Sequence, residues 1–217
     1  MINGEYLSFL QQQSSIYRRM ESEGESSHEA KRDAAIGTSV ILVAAVPSLS
    51  IQKSVAEAAE AHAGTASIIK YGPGSAHVTL LDLGVHSGRM DMSSTENAIL
   101  LDQLSAGVQS AQRNGGGVII FDRFITASAV TIAPGVPNAT FYSLRANIVD
   151  ACAHVAGARP GWGSHITVAR STGRGDWAKP NPAAIPLGMV VPRAIVVASL
   201  YVGETEIEFS VHHEFLL

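Results

Sequence analysis

The chain has 217 residues, of which 46% are hydrophobic and 16% are charged. This composition is typical of a globular protein and excludes a coiled coil or a disordered segment, and the length suffices for one large domain or two small lobes that share a cleft. The formal net charge is −4, and no dense run of Lys and Arg occurs. Because long nucleic acids are bound through many phosphate contacts, this balance argues against a large DNA or RNA footprint but is compatible with a small nucleotide.

Cysteine usage and hydropathy indicate in which cellular compartment the protein is expected. Cys152 is the only cysteine, so no intrachain disulfide or thiolate metal cluster can form, and we expect a buried, unreactive thiol. The N-terminus carries no basic segment followed by an apolar core, which predicts no secretory signal. The longest apolar run, residues 39–46, is too short to span a bilayer. We therefore expect a cytoplasmic protein without a membrane partner.

Residues 1–36 are polar and charged and carry a partial helical stripe of apolar side chains. They predict an N-terminal helical extension that is interrupted at residues 24–27. The sequence leaves open whether this extension packs on the rest of the chain or is loosely attached. No chemistry is predicted for it.

Residues 37–217 predict one domain with alternating strands and helices. Apart from the two motif strands described below, the pattern predicts strands at residues 39–46, 118–124, 127–133, 194–202 and 206–211. Helices are predicted from Ser48 or Ser50 to His62, from Glu96 to Arg113 after a cap at Thr95, and from Asn138 or Thr140 to Val155. We expect the apolar sides of the last two helices to be buried, among them Ile99, Leu100, Leu104, Val108, Leu144, Ile148, Cys152 and Val155.

Two short segments share one pattern at a distance of 88 positions (165 minus 77). In each, a glycine leads into a β-branched and apolar run that predicts a strand, with His77-x-Thr79 in the first and His165-x-Thr167 in the second. Alternate side chains of a strand share a face, so each imidazole points the same way as its threonine hydroxyl. One such motif carries little information, but two in matching contexts predict a single site assembled from two similar lobes.

The two motifs resemble those of the 2H phosphoesterase superfamily, and in particular the 2′-5′ RNA ligase/cyclic phosphodiesterase, or LigT-like, family. The first motif runs on to Leu83-Gly84 and the second to Ala169-Arg170, as is usual in that family. Asp82 departs from the pattern, because the family usually has an apolar or aromatic residue there. The resemblance covers roughly residues 38–217. It implies an α+β fold of two antiparallel-sheet lobes with helices outside, a central cleft and pseudo-two-fold symmetry.

The chemistry implied by two histidines and two threonines is the opening of a phosphodiester. One imidazole deprotonates water and the other protonates the departing ribose oxygen, which suits a side chain that titrates near neutral pH. The hydroxyls of Thr79 and Thr167 would donate to the phosphate oxygens and stabilise the charge that builds there. Neither a metal nor a cofactor is required. The sequence leaves open which histidine is the acid and which is the base.

Five further residues are candidates for substrate binding. Arg170 lies, by strict alternation, on the opposite face of its strand from the motif histidine, so it reaches the site only if the strand bends; family resemblance favours a phosphate contact, and a surface arginine is the alternative. Tyr71 and Trp162 precede the motif strands and can stack on a base or simply pack. Ser75 and Ser164 can contact phosphate or serve only as turn residues. The Gly-, Pro- and Asn-rich residues 171–187 predict a long loop near the site.

The expected function is metal-independent hydrolysis of a cyclic phosphate or a 2′-5′-type phosphodiester in a small nucleotide or at an RNA end. Two alternatives stay open: a 2′-5′ RNA ligase-type activity, and a module that binds a nucleotide or RNA end without turnover. The sequence contains no P-loop, nucleophile elbow, dinucleotide-binding glycine motif or zinc-protease motif. It makes no prediction of oligomeric state.

Overall fold

The computed structural model contains four helices and thirteen strands within the part of the chain that it describes. That part comprises residues 4–26, 36–63, 67–71, 74–111, 116–127, 130–172 and 187–217. The helices are α1 (Gly4–Ser26), α2 (Leu49–Ala63), α3 (Thr95–Ala111) and α4 (Ala139–Ala151). The strands are β1 (Thr38–Val46), β2 (Ile68–Tyr71), β3 (Val78–Asp82), β4 (His86–Ser87), β5 (Ile119–Phe121), β6 (Ile125–Ala127), β7 (Val130–Ala133), β8 (Gly135–Pro137), β9 (Arg159–Pro160), β10 (Ile166–Ser171), β11 (Gly188–Val190), β12 (Ala194–Val202) and β13 (Glu206–Leu216).

Six strands form a closed ring in the order β3-β10-β2-β13-β12-β1, in which β1 returns to β3. The pairs are antiparallel except for β13 and β2, which run parallel. The two motif strands, β3 and β10, are neighbours in this ring and meet where Val78 lies opposite Ile166. Outside the ring, β7 and β6 extend the sheet beyond β10, and β9 pairs with β3. The protein therefore has an α+β fold, and its two histidine motifs lie on adjacent, oppositely directed strands.

Strand β1 shows how the sheet separates two apolar clusters. Ile41 and Val43 contribute to a core shared with α2, α3 and α4, whereas Leu42 and Ala44 face a second cluster with β12 and β2. Successive side chains of a strand point to opposite faces, so a continuous apolar run such as β1 is buried on both sides. Because β1 is packed on both faces, it holds its hydrogen-bonded neighbour β3 in place in the ring.

Most predicted elements are present, with differences that have local causes. Helix α1 continues through Gly24 to Ser26, so the predicted interruption is wrong for these residues, and Ser27 lies outside the described part of the chain. Helix α3 is capped by Ser94 rather than Thr95, since the Ser94 hydroxyl accepts a hydrogen bond from the backbone N–H of Asn97. Ile99 is 53% exposed, so its predicted burial is wrong. The buried residues of α3 start at Leu101, because the face that packs on α4 is set by the tertiary contacts and not by the helix alone.

Among the strands, three predictions need correction. The prediction for residues 118–124 is too long, since β5 covers only Ile119–Phe121. The predicted strand 127–133 is in fact the end of β6 and the whole of β7. The predicted strand 206–211 extends to Leu216, because β13 pairs with β12 from Ile207 to Leu216 across one register shift. Strand β2 was not predicted. Of the predicted loop at residues 171–187, residues 173–186 lie outside the described part of the chain.

The burial of helix α4 follows the predicted pattern. Asn138 caps it by accepting a hydrogen bond from the Phe141 N–H, and Leu144, Ile148 and Cys152 are buried. Burial raises the pKa of the Cys152 thiol, which keeps it protonated and unreactive. None of the described helices is both long and apolar enough to cross a membrane.

Candidate active site

A cavity of about 230 Å³ opens between the two motif strands. It brings both histidines and both threonines of the motifs together with three of the five substrate-binding candidates. Its lining consists of Val40, Leu42, Tyr71, His77, Thr79, Asp82, Val85, Gly161, Trp162, His165, Thr167, Arg170 and Leu200. The two segments, which are distant in sequence, therefore line one cleft.

His77 lies directly before β3 and is held in one orientation. Its Nδ1 is 2.7 Å from the backbone carbonyl of Ser75. A carbonyl only accepts hydrogen bonds, so Nδ1 carries a proton and, in the neutral ring, Nε2 has the free lone pair. The ring stacks on Phe209 of β13, with centroids 4.9 Å apart. Burial lowers the pKa of His77 to about 4; the Ser75 carbonyl acts against this shift, and the positive charge of Arg170 adds to it.

His165 lies directly before β10 and is held differently. It stacks on Trp162 with centroids 4.1 Å apart, and its Nδ1 is buried without a hydrogen-bond partner among the described residues. Burial lowers its pKa to about 3, with smaller contributions from His77 and Arg170. The two imidazoles are therefore close enough to influence each other electrostatically, and both are neutral in the free protein at pH 7.

A β-bulge in each motif strand places a third side chain on the cleft face. The pairing of β10 with β7 shifts between Thr167 and Ala169, and Val168 and Ala169 are both buried in the core. The extra residue reverses the alternation, so Arg170 faces the cleft with the motif side chains. The pairing of β3 with β1 shifts in the same way beside Leu80 and Leu81, and Asp82 faces the cleft as well.

The bulge places Arg170 at the cleft, and its contact with phosphate stays a prediction. The guanidinium is hydrogen-bonded to the hydroxyl of Tyr71, and this neighbour raises the pKa of Arg170 further above its ordinary value against the effect of burial. The Nε of Arg170 is buried and has no partner in the described part of the chain. The tyrosine is only 6% exposed, so it supports the arginine at the wall of the cavity and is not available as an open stacking surface.

Two buried glutamines hold the backbone just before each histidine, and no pattern in the sequence pointed to either. Gln52 of α2 donates to the carbonyl of Ala76 at 2.8 Å and accepts from its N–H at 2.7 Å. Gln13 of α1 accepts from the N–H of Ser164 at 3.2 Å. Ala76 and Ser164 are themselves 88 positions apart (164 minus 76), so the two helices act on equivalent points of the two motifs.

Helix α1 packs beside the second motif. Tyr17 is 3% exposed, belongs to a small cluster with Ile125 and Ile132, and meets the edge of Trp162 at a centroid distance of 5.6 Å. The extension is therefore packed on the lobe that carries His165, which answers the question that the sequence left open. Helix α1 thus contacts Trp162, the ring that stacks on His165, and the expectation that the extension adds no chemistry stays a prediction.

The loop between β9 and β10 is brought close to β3 by a glycine. A Cβ at Gly161 would lie 2.3 Å from the carbonyl oxygen of Thr79, a distance that no side chain tolerates. The Gly161 N–H donates to the carbonyl of Leu80, and its own carbonyl accepts from Arg145 of α4 at 2.6 Å. These contacts hold Trp162, the next residue, over the cleft, where its ring is 39% exposed and available to a ligand.

Ser75 and Ser164 lie outside the lining of the cavity. Ser75 is 3% exposed and acts through its backbone carbonyl on His77, and Ser164 is fully buried. The structure therefore gives no support to a phosphate contact by either hydroxyl. Within the described residues, no group of three or more His, Cys, Asp or Glu side chains is arranged to hold a metal ion.

Comparison with known proteins gives matches in structure but not in sequence. No protein-family model matches the chain, and no curated protein matches it. E. coli LigT, in a crystal structure with NADP+, has a TM-score of 0.58 at 14% identity, and the match covers 83% of this chain and 98% of LigT. A crystal structure of LigT with 3′-AMP gives the same values. A protein of Thermus thermophilus has a TM-score of 0.53 at 17% identity, and the match covers 82% of this chain and 97% of that protein.

These likenesses concern the fold. The α+β fold is that of the LigT-like 2H phosphoesterases, as the resemblance of the two motifs predicted. A shared fold does not by itself fix the reaction, which has to be argued from the side chains of the cleft.

Proposed function

We propose that this protein is a phosphodiesterase that hydrolyses a cyclic phosphate, or a 2′-5′-type linkage, in a small nucleotide by two-histidine acid–base catalysis. The observation that carries the proposal is the shared lining of one cavity by His77, Thr79, His165, Thr167 and Arg170. An acid, a base and three donors to phosphate are the groups that this reaction needs. The fold likeness to LigT, which binds 3′-AMP and phosphate in crystal structures, supports a small phosphorylated ligand.

The two imidazoles are inequivalent, and their surroundings suggest a division of roles. The Ser75 carbonyl accepts a hydrogen bond from Nδ1 of His77 and stabilises the protonated ring, whereas the described residues offer Nδ1 of His165 no such acceptor. We therefore assign the acid to His77 and the base to His165. An anionic phosphate between them raises the pKa of both rings, so that one can carry a proton in the complex.

In the proposed step, His165 takes a proton from water as the water oxygen attacks phosphorus. The bond from phosphorus to one ribose oxygen breaks, and His77 gives its proton to that oxygen. Thr79, Thr167 and Arg170 donate to the non-bridging oxygens, whose negative charge grows in the transition state. Proton exchange with solvent then restores the starting state, and the product is a ring-opened phosphomonoester.

The proposal is tested by incubating chelator-treated protein with 2′,3′-cyclic AMP and a small panel of 2′-5′ and cyclic dinucleotides, with mass analysis of the products. Turnover by the wild type that falls by about 10²–10⁴-fold in both His77→Ala and His165→Ala supports catalysis. His86→Ala is a matched control, because His86 is exposed and lies outside the cavity. Tight binding without product in the wild type would instead indicate a nucleotide sensor, and joining of RNA ends would indicate a ligase.

A further inference from the structure

Asp82 is a charged group in the cleft that the proposed chemistry does not use. It stands 88 positions before Arg170 (170 minus 82), the same distance that separates the paired histidines and threonines. The two bulges bring both residues to the cleft face, so the matching positions of the two lobes carry opposite charges. A carboxylate is an unexpected choice in a cavity built for an anionic phosphate, because like charges repel.

The carboxylate of Asp82 is held in place by a backbone donor and not by a cationic side chain. Its Oδ1 accepts a hydrogen bond of 2.8 Å from the backbone N–H of Gly84. No Lys, Arg or His side chain of the described residues forms an ion pair with it. The second oxygen of an ionised carboxylate accepts hydrogen bonds only, so a ligand group beside Asp82 must be a donor.

The register of the strands puts Asp82 and Arg170 at opposite ends of the cleft. Strands β3 and β10 run antiparallel from the pair Val78 and Ile166, and each charged residue lies four positions further along its own strand (82 minus 78 and 170 minus 166). At its end of the cleft, Arg170 is hydrogen-bonded to the hydroxyl of Tyr71. The opposite end carries a carboxylate in place of this guanidinium.

The Asp82 end has the character of a nucleoside subsite. Asp82 lies opposite Arg159 of β9, whose exposed side chain forms no ion pair with it and does not line the cavity. From Arg159 the chain continues to Trp162, whose exposed ring lines the same cavity as Asp82. Val85 adds an apolar side chain there. An aromatic platform, an apolar side chain and a hydrogen-bond acceptor together suit a base and a ribose, since bases stack on aromatic rings.

We propose that Asp82 makes this end of the cleft a nucleoside subsite that rejects negatively charged 5′ substituents, and that the substrate is a free nucleoside cyclic phosphate and not the end of an RNA. This inference rests on the proposed function. In a 2′,3′-cyclic phosphate the phosphate is terminal, so the base, the ribose and any 5′ group all extend to the same side. A 5′-phosphate, or the 5′ phosphodiester of an RNA chain, then comes near Asp82. The cavity volume of about 230 Å³ also favours one nucleotide unit over an oligonucleotide.

The first test compares 2′,3′-cyclic AMP with its 5′-phosphorylated form as substrates of the wild type, Asp82→Asn and Asp150→Asn. Asp82→Asn keeps the shape and removes the charge, and Asp150 is an exposed acid on α4 that controls for net charge. We expect Asp82→Asn to raise kcat/KM for the 5′-phosphorylated substrate about five- to tenfold relative to the other, with a smaller effect in high salt. Asp150→Asn should leave the ratio unchanged. A ratio that Asp82→Asn does not move, or that both variants move equally, overturns the inference.

A second measurement separates this inference from the proposed reaction. Calorimetric titration with adenosine 2′-phosphate and adenosine 2′,5′-bisphosphate reports the same selectivity without turnover. If no substrate is hydrolysed but Asp82→Asn still improves binding of the bisphosphate, the hydrolytic function fails and the subsite stands. If hydrolysis is normal and neither measurement of selectivity changes, the subsite fails and the function stands. A wild type that binds neither ligand contradicts both.

Discussion

The two halves of the cleft repeat one plan with different parts. Each has a histidine before a strand, a threonine two residues later, a bulge, and a glutamine from a helix that holds the backbone in front of the histidine. In the first lobe a backbone carbonyl holds His77, and the cleft ends at the carboxylate of Asp82. In the second lobe Nδ1 of His165 has no acceptor in the described part of the chain, and the cleft ends at the guanidinium of Arg170. The repeat thus brings two imidazoles to one site, and the differences give the site a direction.

That direction matters for the proposed reaction, because hydrolysis is not symmetric. One side of phosphorus receives water and the other releases the ribose oxygen, so two identical imidazole environments would leave the roles of acid and base unassigned. The charges at the two ends of the cleft add a preferred orientation of the ligand. Variants that exchange or remove the distinguishing features of one lobe therefore test the comparison most directly.

Among the features that differ between the two lobes, the largest effect is expected at the cationic end of the cleft. Arg170→Gln should lower kcat about 10²–10³-fold, since it removes a buried donor to the charge that forms on the phosphate oxygens. Steady-state kinetics with 2′,3′-cyclic AMP measures this. Arg19→Gln is the matched control, because Arg19 is exposed on α1 and lies outside the cavity lining. An equal loss in both variants would contradict a specific role for Arg170.

A second prediction concerns the pH dependence of stability. The pKa of His77 is about 4 in the fold, below the ordinary value of 6.5, so between these values the unfolded chain binds more protons. The free energy of unfolding should therefore rise with pH from about 4 to about 6.5 and level off above, with His77 contributing up to about 3 kcal/mol. Urea unfolding at several pH values measures the slope. His165, whose pKa is about 3, adds a slope over the same pH range, so His77→Asn should reduce the slope without abolishing it, whereas His86→Ala should leave it unchanged. An unchanged slope in His77→Asn would refute the assignment.

The two glutamine contacts predict unequal effects in the two lobes. Gln52→Ala leaves both backbone groups of Ala76 unpaired and should reduce the free energy of unfolding by about 2 kcal/mol, whereas Gln13→Ala breaks one longer bond and should reduce it by about 1 kcal/mol. Both should lower kcat, because each displaces a histidine. If Gln13→Ala alters stability alone, α1 does not position His165. Replacement by Glu, which still accepts from the Ser164 N–H, should restore kcat in the Gln13 variant.

The smallest expected effects distinguish the two stacking partners. Trp162 lines the cavity and stacks on His165, so Trp162→Leu should raise KM about fivefold through loss of a base contact. Phe209 stacks on His77 but does not line the cavity, so Phe209→Leu should lower kcat a few-fold and leave KM unchanged. Equal changes in KM would indicate that Trp162 does not contact the ligand.

Much of the plan was predictable from local patterns. The strand alternation around the two motifs predicted which residues share a face, and the helix pattern at Leu144, Ile148 and Cys152 predicted their burial. The prediction of short strands failed where the local pattern carries no signal for them. Strand β2 has only four residues, Ile68–Tyr71, and is stabilised by pairing with β10 and β13, which are distant in sequence.

The sequence by itself determined which groups the two motifs present: two imidazoles and two hydroxyls, each pair on one face of a strand, because the period of two is a property of the local backbone. Only the tertiary structure decided that Arg170 and Asp82 face the same cavity and that α1 supports Trp162. A bulge forms where the register between two paired strands shifts, and a helix packs on a complementary surface formed by a distant part of the chain. Both depend on pairings between residues far apart in the chain, which no local pattern encodes.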